Sequence, residues 1–151
     1  MTLTRILAAV DGSVHTAKVS KVAAEAAQRY GARLFLLHVV APVSSRRVRD
    51  ELENLAHMEH LERTEYEMLQ DSGRPVVRSA EASAREKGIA DVEGLVEVGD
   101  PASVIMMEIR ARRADLVVLG RRGLGTLTGL LLGSVSHKVI QLATIPCLIV
   151  P

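Results

Sequence analysis

DLVVLGRRGLGTLTGLLLGSVSHKVIQLA, residues 115–143, decides how this chain is read. It opens on DLVVLG (115–120), a short apolar run of the kind that forms a strand buried on both faces. It closes on residues 134–142, whose apolar positions recur at helical spacing. Between them, five glycines crowd into residues 120–134. Glycine costs stability inside regular elements, so glycines gathered between a strand and a helix suggest a backbone that something must approach closely. The first amides of a helix lack intrahelical acceptors and its dipole favours anions there. Gly133, Ser134, Val135 and Ser136 occupy that start, so amides and two hydroxyls can converge on a phosphate. Gly120 and Gly123 let the backbone turn against a ligand, and Arg121 and Arg122 add positive charge at the rim. The physical reading is a cradle for a nucleotide polyphosphate. The bland alternative is a surface loop ending in a good helix cap, because short glycine patterns recur by chance.

Outward from this stretch, strands and helices alternate. ILAAV (6–10) is a buried strand ended by Asp11-Gly12-Ser13, and Ser13 is placed to cap a helix running to Tyr30, with Gly31 just past its end. RLFLLHVV (33–40) is a second strand, ended by Ala41-Pro42. A charged segment from about residue 46 to residue 70 carries Val48, Leu52, Leu55, Met58 and Leu69 as an apolar stripe, which predicts an amphipathic helix. Gly73 is expected to break it, and Pro75 to start a further helix that continues to Gly88. LVEV (95–98) is a third strand, half polar and so suited to a sheet edge. Asp100-Pro101 opens a helix over about residues 102–112, and Cys147 to Val150 forms a fifth strand. The alternation predicts an α/β fold: a doubly wound parallel sheet with right-handed crossovers and helices on both faces. Ligands in such sheets bind beyond the carboxyl ends of the strands, where strand order reverses. Asp11 and the Gly120 loop flank one crevice if the first and fourth strands are neighbours there. No repeat or linker interrupts residues 1–151, which are expected to form one domain.

Composition excludes several functions. The formal net charge is +1, from 19 Lys and Arg against 18 Asp and Glu, so no bulk field draws the chain to nucleic acid or membrane. Aromatics are 2% of the chain (Tyr30, Phe35 and Tyr66), too few for a base-stacking platform. The single cysteine, Cys147, is compatible with a reducing compartment, and no segment resembles a signal peptide or a membrane span. A cytoplasmic location is the expectation. No G-x-x-x-x-G-K-[ST] occurs, and Asp11-Gly12-Ser13 stands where a dinucleotide-binding G-x-G-x-x-G would begin.

Gly120, two residues, Gly123, nine residues, then Gly133-Ser134 resembles the G-2x-G-9x-G-[ST] signature of the ATP-binding branch of the universal stress protein family. ILAAVDGS, LLHVV, VGDP, ADLVVLGRRGLG, LLLGSVS and IPCLIVP follow in the family's order, so the likeness spans essentially the whole chain. It implies a five-stranded parallel sheet in the order 3-2-1-4-5, with ATP in the crevice, usually together with Mg2+. By position, Asp11 resembles the acidic residue that meets the nucleoside, and Val39 or Val40 the residue whose backbone reads the adenine edge. Gly120 and Gly123 would sit against ribose and phosphates, and Gly133, Ser134, Val135 and Ser136 would hold the phosphate chain. The spacer LGTLTGLLL lacks the cation that family members often carry near Thr128-Gly129, which leaves Arg121 or Arg122 to compensate. The family also resembles homodimers joined through their last strands, and Leu148 to Val150 is an apolar edge with a motive to pair.

His57-Met58-Glu59-His60 lacks metalloprotease and deaminase spacing and reads as a solvated helix face. Cys147 reads as an inert, buried thiol, the Met106-Met107 pair as core and His137 as surface. Asp11 has a structural alternative, capping the turn before the first helix. No residue is assigned a catalytic role or a metal held by protein groups alone. The resulting expectation is an ATP-binding stress-response protein whose nucleotide modulates conformation or affinity for a still unidentified protein partner, with at most slow hydrolysis. Its rivals are a slow ATPase or adenylate-transferring enzyme, an interaction module with an empty pocket, and a flavin binder.

Overall fold

The computed structural model describes residues 2–42, 59–122 and 132–151. Among them are five strands and four helices: β1 (Arg5–Ala9), α1 (Thr16–Tyr30), β2 (Arg33–Val40), α2 (Glu59–Glu86), β3 (Val92–Val98), α3 (Pro101–Ala111), β4 (Leu116–Gly120), α4 (Ser134–Leu142) and β5 (Cys147–Val150). The strands form one sheet in the order β3-β2-β1-β4-β5, every pair parallel. Ile6 lies between Leu34 and Leu116, which sets β1 at the centre of the sheet.

Successive side chains of a strand point to opposite faces, and both faces of this sheet are covered. Ile6, Ala8, Leu34, Leu36, Leu116 and Val118 pack with Val19, Ala23 and Ala27 of α1 and Ala80 and Ala84 of α2. Leu7, Phe35, Leu37, Val117 and Leu119 pack on the other face with Ile105, Met106 and Ile109 of α3 and Val139 of α4. The apolar runs are continuous because each residue has a hydrophobic layer to enter, and a Leu or Ile so buried contributes about 1.5–3 kcal/mol. Among the described residues no helix is long and apolar enough to cross a membrane.

Three local expectations are corrected. The chain does not break at Gly73: α2 runs through both Gly73 and Pro75 as a single helix. Gly73 is buried against the sheet, where a Cβ would stand 2.7 Å from Val96 Cγ1 and 2.8 Å from His38 Cδ2, so close packing overrides its poor helix propensity. The first part of the expected amphipathic helix, residues 43–58 with Val48, Leu52, Leu55, Met58 and His57, lies outside the described residues. Ser13 is not the cap of α1. His15 holds that position, while Ser13 closes the preceding turn by accepting the His15 amide at 3.2 Å through its hydroxyl and the Thr16 amide at 3.0 Å through its carbonyl. Met107 is not core: Met106 is buried, but its neighbour is 51% exposed because consecutive helical residues face different directions. Gly31 ends α1 with φ of 62°, the left-handed conformation expected of a residue past a helix end. Asp100 caps α3, accepting the Ser103 amide at 3.0 Å ahead of Pro101.

Candidate functional site

The strand order reverses at β1, whose neighbours β2 and β4 leave in opposite senses around the sheet. A cavity of about 530 Å³ opens beyond the carboxyl ends of these three strands. That volume suits a small-molecule ligand. Its walls come from Ala9 to Asp11 at the end of β1, Leu37 to Ala41 at the end of β2, Leu119, Gly120 and Arg122 at the end of β4, and Leu132 to Ser136 entering α4. His15, Thr16 and Val19 of the first turn and helix, and Pro101 and Ile105 of α3, complete it.

The structure therefore brings together Asp11, Val39, Val40, Gly120, Arg122, Gly133, Ser134, Val135 and Ser136. Arg121 is apart: its side chain is exposed and does not line the cavity, while its backbone ties three elements together. Its amide donates to Val150 O at 2.7 Å and its carbonyl accepts the Gly133 amide at 2.8 Å. Gly123 and the spacer around Thr128-Gly129 lie outside the described residues, so the loop between β4 and α4 is described only at its two ends.

At the start of α4 the Gly133 amide is already engaged, and the first helical amides follow. Among the described residues, the amides of Ser134, Val135 and Ser136 donate to no protein group. They are the donors an anion would meet. The Ser136 hydroxyl is not free to join them as a donor, because it is buried and donates to Gly120 O at 2.7 Å, closing α4 onto the end of β4. Ser134 is exposed at the rim.

Asp11 has both of the roles considered for it within reach. Its Oδ1 accepts the Ser13 amide at 2.9 Å and the Thr16 hydroxyl at 3.2 Å, which is the turn-capping role. A carboxylate offers about four acceptor positions, so capacity remains toward the cavity it lines. Asp100, beside Pro101 at the cavity wall, is held below the usual carboxylate range, first by the Ser103 hydroxyl and amide and then by Lys138. Lys138 reaches it at 3.3 Å and so links the start of α3 to α4.

Residue parity separates Val39 from Val40. Along a strand, the amide and carbonyl of one residue point the same way and those of the next point oppositely. Leu37 O accepts the Val10 amide at 2.8 Å, so Leu37 and Val39 face β1. Val40 faces β3, and its carbonyl accepts the Gly99 amide at 3.0 Å. β1 ends at Ala9, so the Val39 amide and carbonyl face the crevice beyond its last rung.

Sequence reasoning missed His38, His15 and Thr16 as cavity residues. For His38 a signal was available: it follows Leu34 and Leu36 on one face at the carboxyl end of a buried strand, where an otherwise unbroken apolar pattern turns polar. Cys147 is half-buried within β5, and desolvation raises its thiol above the ordinary value, as befits an inert sulfur. His137 is exposed, while His57 and the side chain of His60 lie outside the described residues.

Comparison with known proteins agrees with this architecture. A universal stress protein of Thermus aquaticus is 39% identical over 145 residues, covering 96% of each chain. Universal stress protein YxiE of Bacillus subtilis is 34% identical over 151 residues, covering 97% of each. Among solved structures, that of MJ0577 superposes with a TM-score of 0.80 at 22% identity over 99% of this chain and 96% of its own. A universal stress protein in complex with cAMP gives a TM-score of 0.71 at 24% identity, over 99% and 98%. The one from Archaeoglobus fulgidus in complex with dAMP gives 0.65 at 21%, over the full length of both. The sequence profile of the universal stress protein family matches residues 2–151, and the chain belongs to that family.

Proposed function

We propose that the cavity binds an adenine nucleotide, ATP with Mg2+, and that occupancy alters the conformation of the protein or its affinity for a protein partner in a stress response. One observation carries the reading: among the described residues nothing pairs with the amide and carbonyl of Val39 at the cavity wall. Adenine offers an acceptor at N1 beside a donor at N6, the complement of one residue's backbone amide and carbonyl. Val39, not Val40, is then the base reader. Asp11 is the partner for ribose hydroxyls, and the α4 amides with Arg122 are the partners for phosphate. The family members solved with cAMP and dAMP support an adenine ligand. Among the described residues no cluster of three His, Cys, Asp or Glu could hold a metal, so Mg2+ would ride on phosphate oxygens and water, its usual habit. A homodimer built on β5 belongs to the same reading. Hydrolysis requires a residue that positions water and a charge-stabilising group at the γ-phosphate; none of the residues assigned above is given the first task, so turnover is expected to stay below roughly one per minute.

Titration calorimetry with ATP and GTP in Mg2+ tests this directly. Guanine places a donor at N1 and an acceptor at O6, the reverse of adenine, so ATP should bind more than about tenfold tighter. Equal affinities, or no binding, would refute the assignment. Gly133→Phe should abolish binding with the circular dichroism unchanged, because Gly133 has φ of −67°, a conformation open to any residue.

A further inference from the structure

The β1–β2 ladder stops one step before its geometry requires. Its last rung is the Val10 amide on Leu37 O. The next parallel rungs would carry the Val39 amide to Val10 O and the Gly12 amide to Val39 O. Both groups, just past the end of β1, are intercepted by side chains. His38 Nδ1 lies 2.7 Å from Val10 O, and since a carbonyl only accepts, that nitrogen carries the proton. The Gly12 amide donates to Thr16 Oγ1 at 2.9 Å, and the Thr16 hydroxyl donates in turn to Asp11 Oδ1 at 3.2 Å. Gly12 adopts φ of +79°, which turns its amide out of the strand line, and the missing Cβ of Gly73 leaves room for the His38 ring. Two unrelated side chains thus occupy the two groups that would otherwise close on Val39.

We propose that His38 and Thr16 are positioning residues that hold the ladder open at Val39 and so create the base-reading edge; this rests on the nucleotide reading above. Neither needs to touch the base. They prevent the protein from satisfying Val39 internally, which would leave the crevice without a complementary donor and acceptor. His38→Leu and Thr16→Val remove the intercepting groups at similar volume, while His38→Asn and Thr16→Ser keep a donor and an acceptor, respectively.

Two measurements test the assignment. In ligand-free wild-type protein, hydrogen exchange followed by NMR should show the Val39 amide exchanging at least about tenfold faster than that of Leu37, with the gap closing in His38→Leu. The ATP-to-GTP affinity ratio should fall by about tenfold in His38→Leu and Thr16→Val and recover in His38→Asn and Thr16→Ser. Affinity for inorganic tripolyphosphate should stay within about twofold throughout, since the phosphate donors lie on α4. A Val39 amide as protected as Leu37 in wild type, or base preference kept intact in both disrupting variants, would overturn the proposal. Wild-type protein that binds neither ATP nor GTP would overturn the nucleotide reading itself, and this assignment with it, whatever the exchange rates.

Discussion

Gly73 sits where α2 crosses the carboxyl ends of β2 and β3, and three side chains crowd the space a Cβ would take. Besides Val96 and His38, Val40 Cγ2 would lie only 3.0 Å away. Alanine at this position gains about 1 kcal/mol of helix propensity. Overpacking against a close-packed sheet costs about 1–3 kcal/mol, and two of the three neighbours are branched side chains on β-strands with little freedom to yield. Gly73→Ala is therefore expected to lower stability by a net ~1 kcal/mol, a fall of about 2–4 °C in the thermal midpoint for a chain of this length. The same methyl would press on the His38 ring, so nucleotide affinity should drop in parallel. A midpoint that rises instead would mean that α2 can lift away from the sheet without loss.

Asp115 joins two elements at the opposite end of the sheet. Its Oδ2 accepts the Thr4 hydroxyl at 2.7 Å, the Thr4 amide at 2.8 Å and the Arg5 amide at 2.9 Å, pinning the entry of β1 to that of β4. These bonds, led by the Thr4 hydroxyl, hold its carboxyl below the usual range. A carboxylate with a lowered folded-state pKa contributes stability above the unfolded value of about 3.9, and that contribution is lost as pH falls from there through the folded value. Asp115→Asn should thus cost about 1 kcal/mol at neutral pH, with the gap to wild type closing below about pH 4, as urea unfolding at a series of pH values would show. Elements of this kind were legible wherever one local signal governed them. β2, α4 and β5 fall where their apolar runs and flanking glycine or proline predict, and Asp100-Pro101 marks the start of α3 within a residue. α2 was misread because Gly73 and Pro75 are local breakers, while what sustains the helix is packing against residues 23 to 35 positions away. The candidate site divides in the same way. Its wall at the start of α4 is contiguous in sequence and could be read as part of a crevice, whereas His38, Thr16 and the parity of Val39 enter it only through a ladder between strands.

At the scale of the whole molecule, the two edges of the sheet are treated differently. On β3 the groups of Val92, Gly94 and Val96 face outward, and α2 covers them with its own side chains. Arg85 donates to Val92 O at 3.1 Å, Glu81 accepts the Gly94 amide at 2.9 Å, and Gln70 donates to Val96 O at 3.1 Å. These bonds occupy positions that a further strand would need, so that edge is closed to pairing. On β5 the inward groups are used: Pro146 O and Val150 O accept the Val117 and Arg121 amides at 3.1 and 2.7 Å. By parity the groups of Cys147 and Ile149 point away from β4, beside Leu148, which is 38% exposed. Among the described residues an apolar edge left open opposite a sealed one argues for a second copy pairing through β5. Light scattering should then return twice the chain mass of 16.3 kDa for the wild type. Ile149→Pro removes an outward amide at an edge strand, a position proline tolerates, and leaves the β4–β5 ladder its donors and acceptors. It should give a monomer with unchanged circular dichroism. A wild type of single-chain mass, or a proline variant still dimeric, would place the interface elsewhere or remove it.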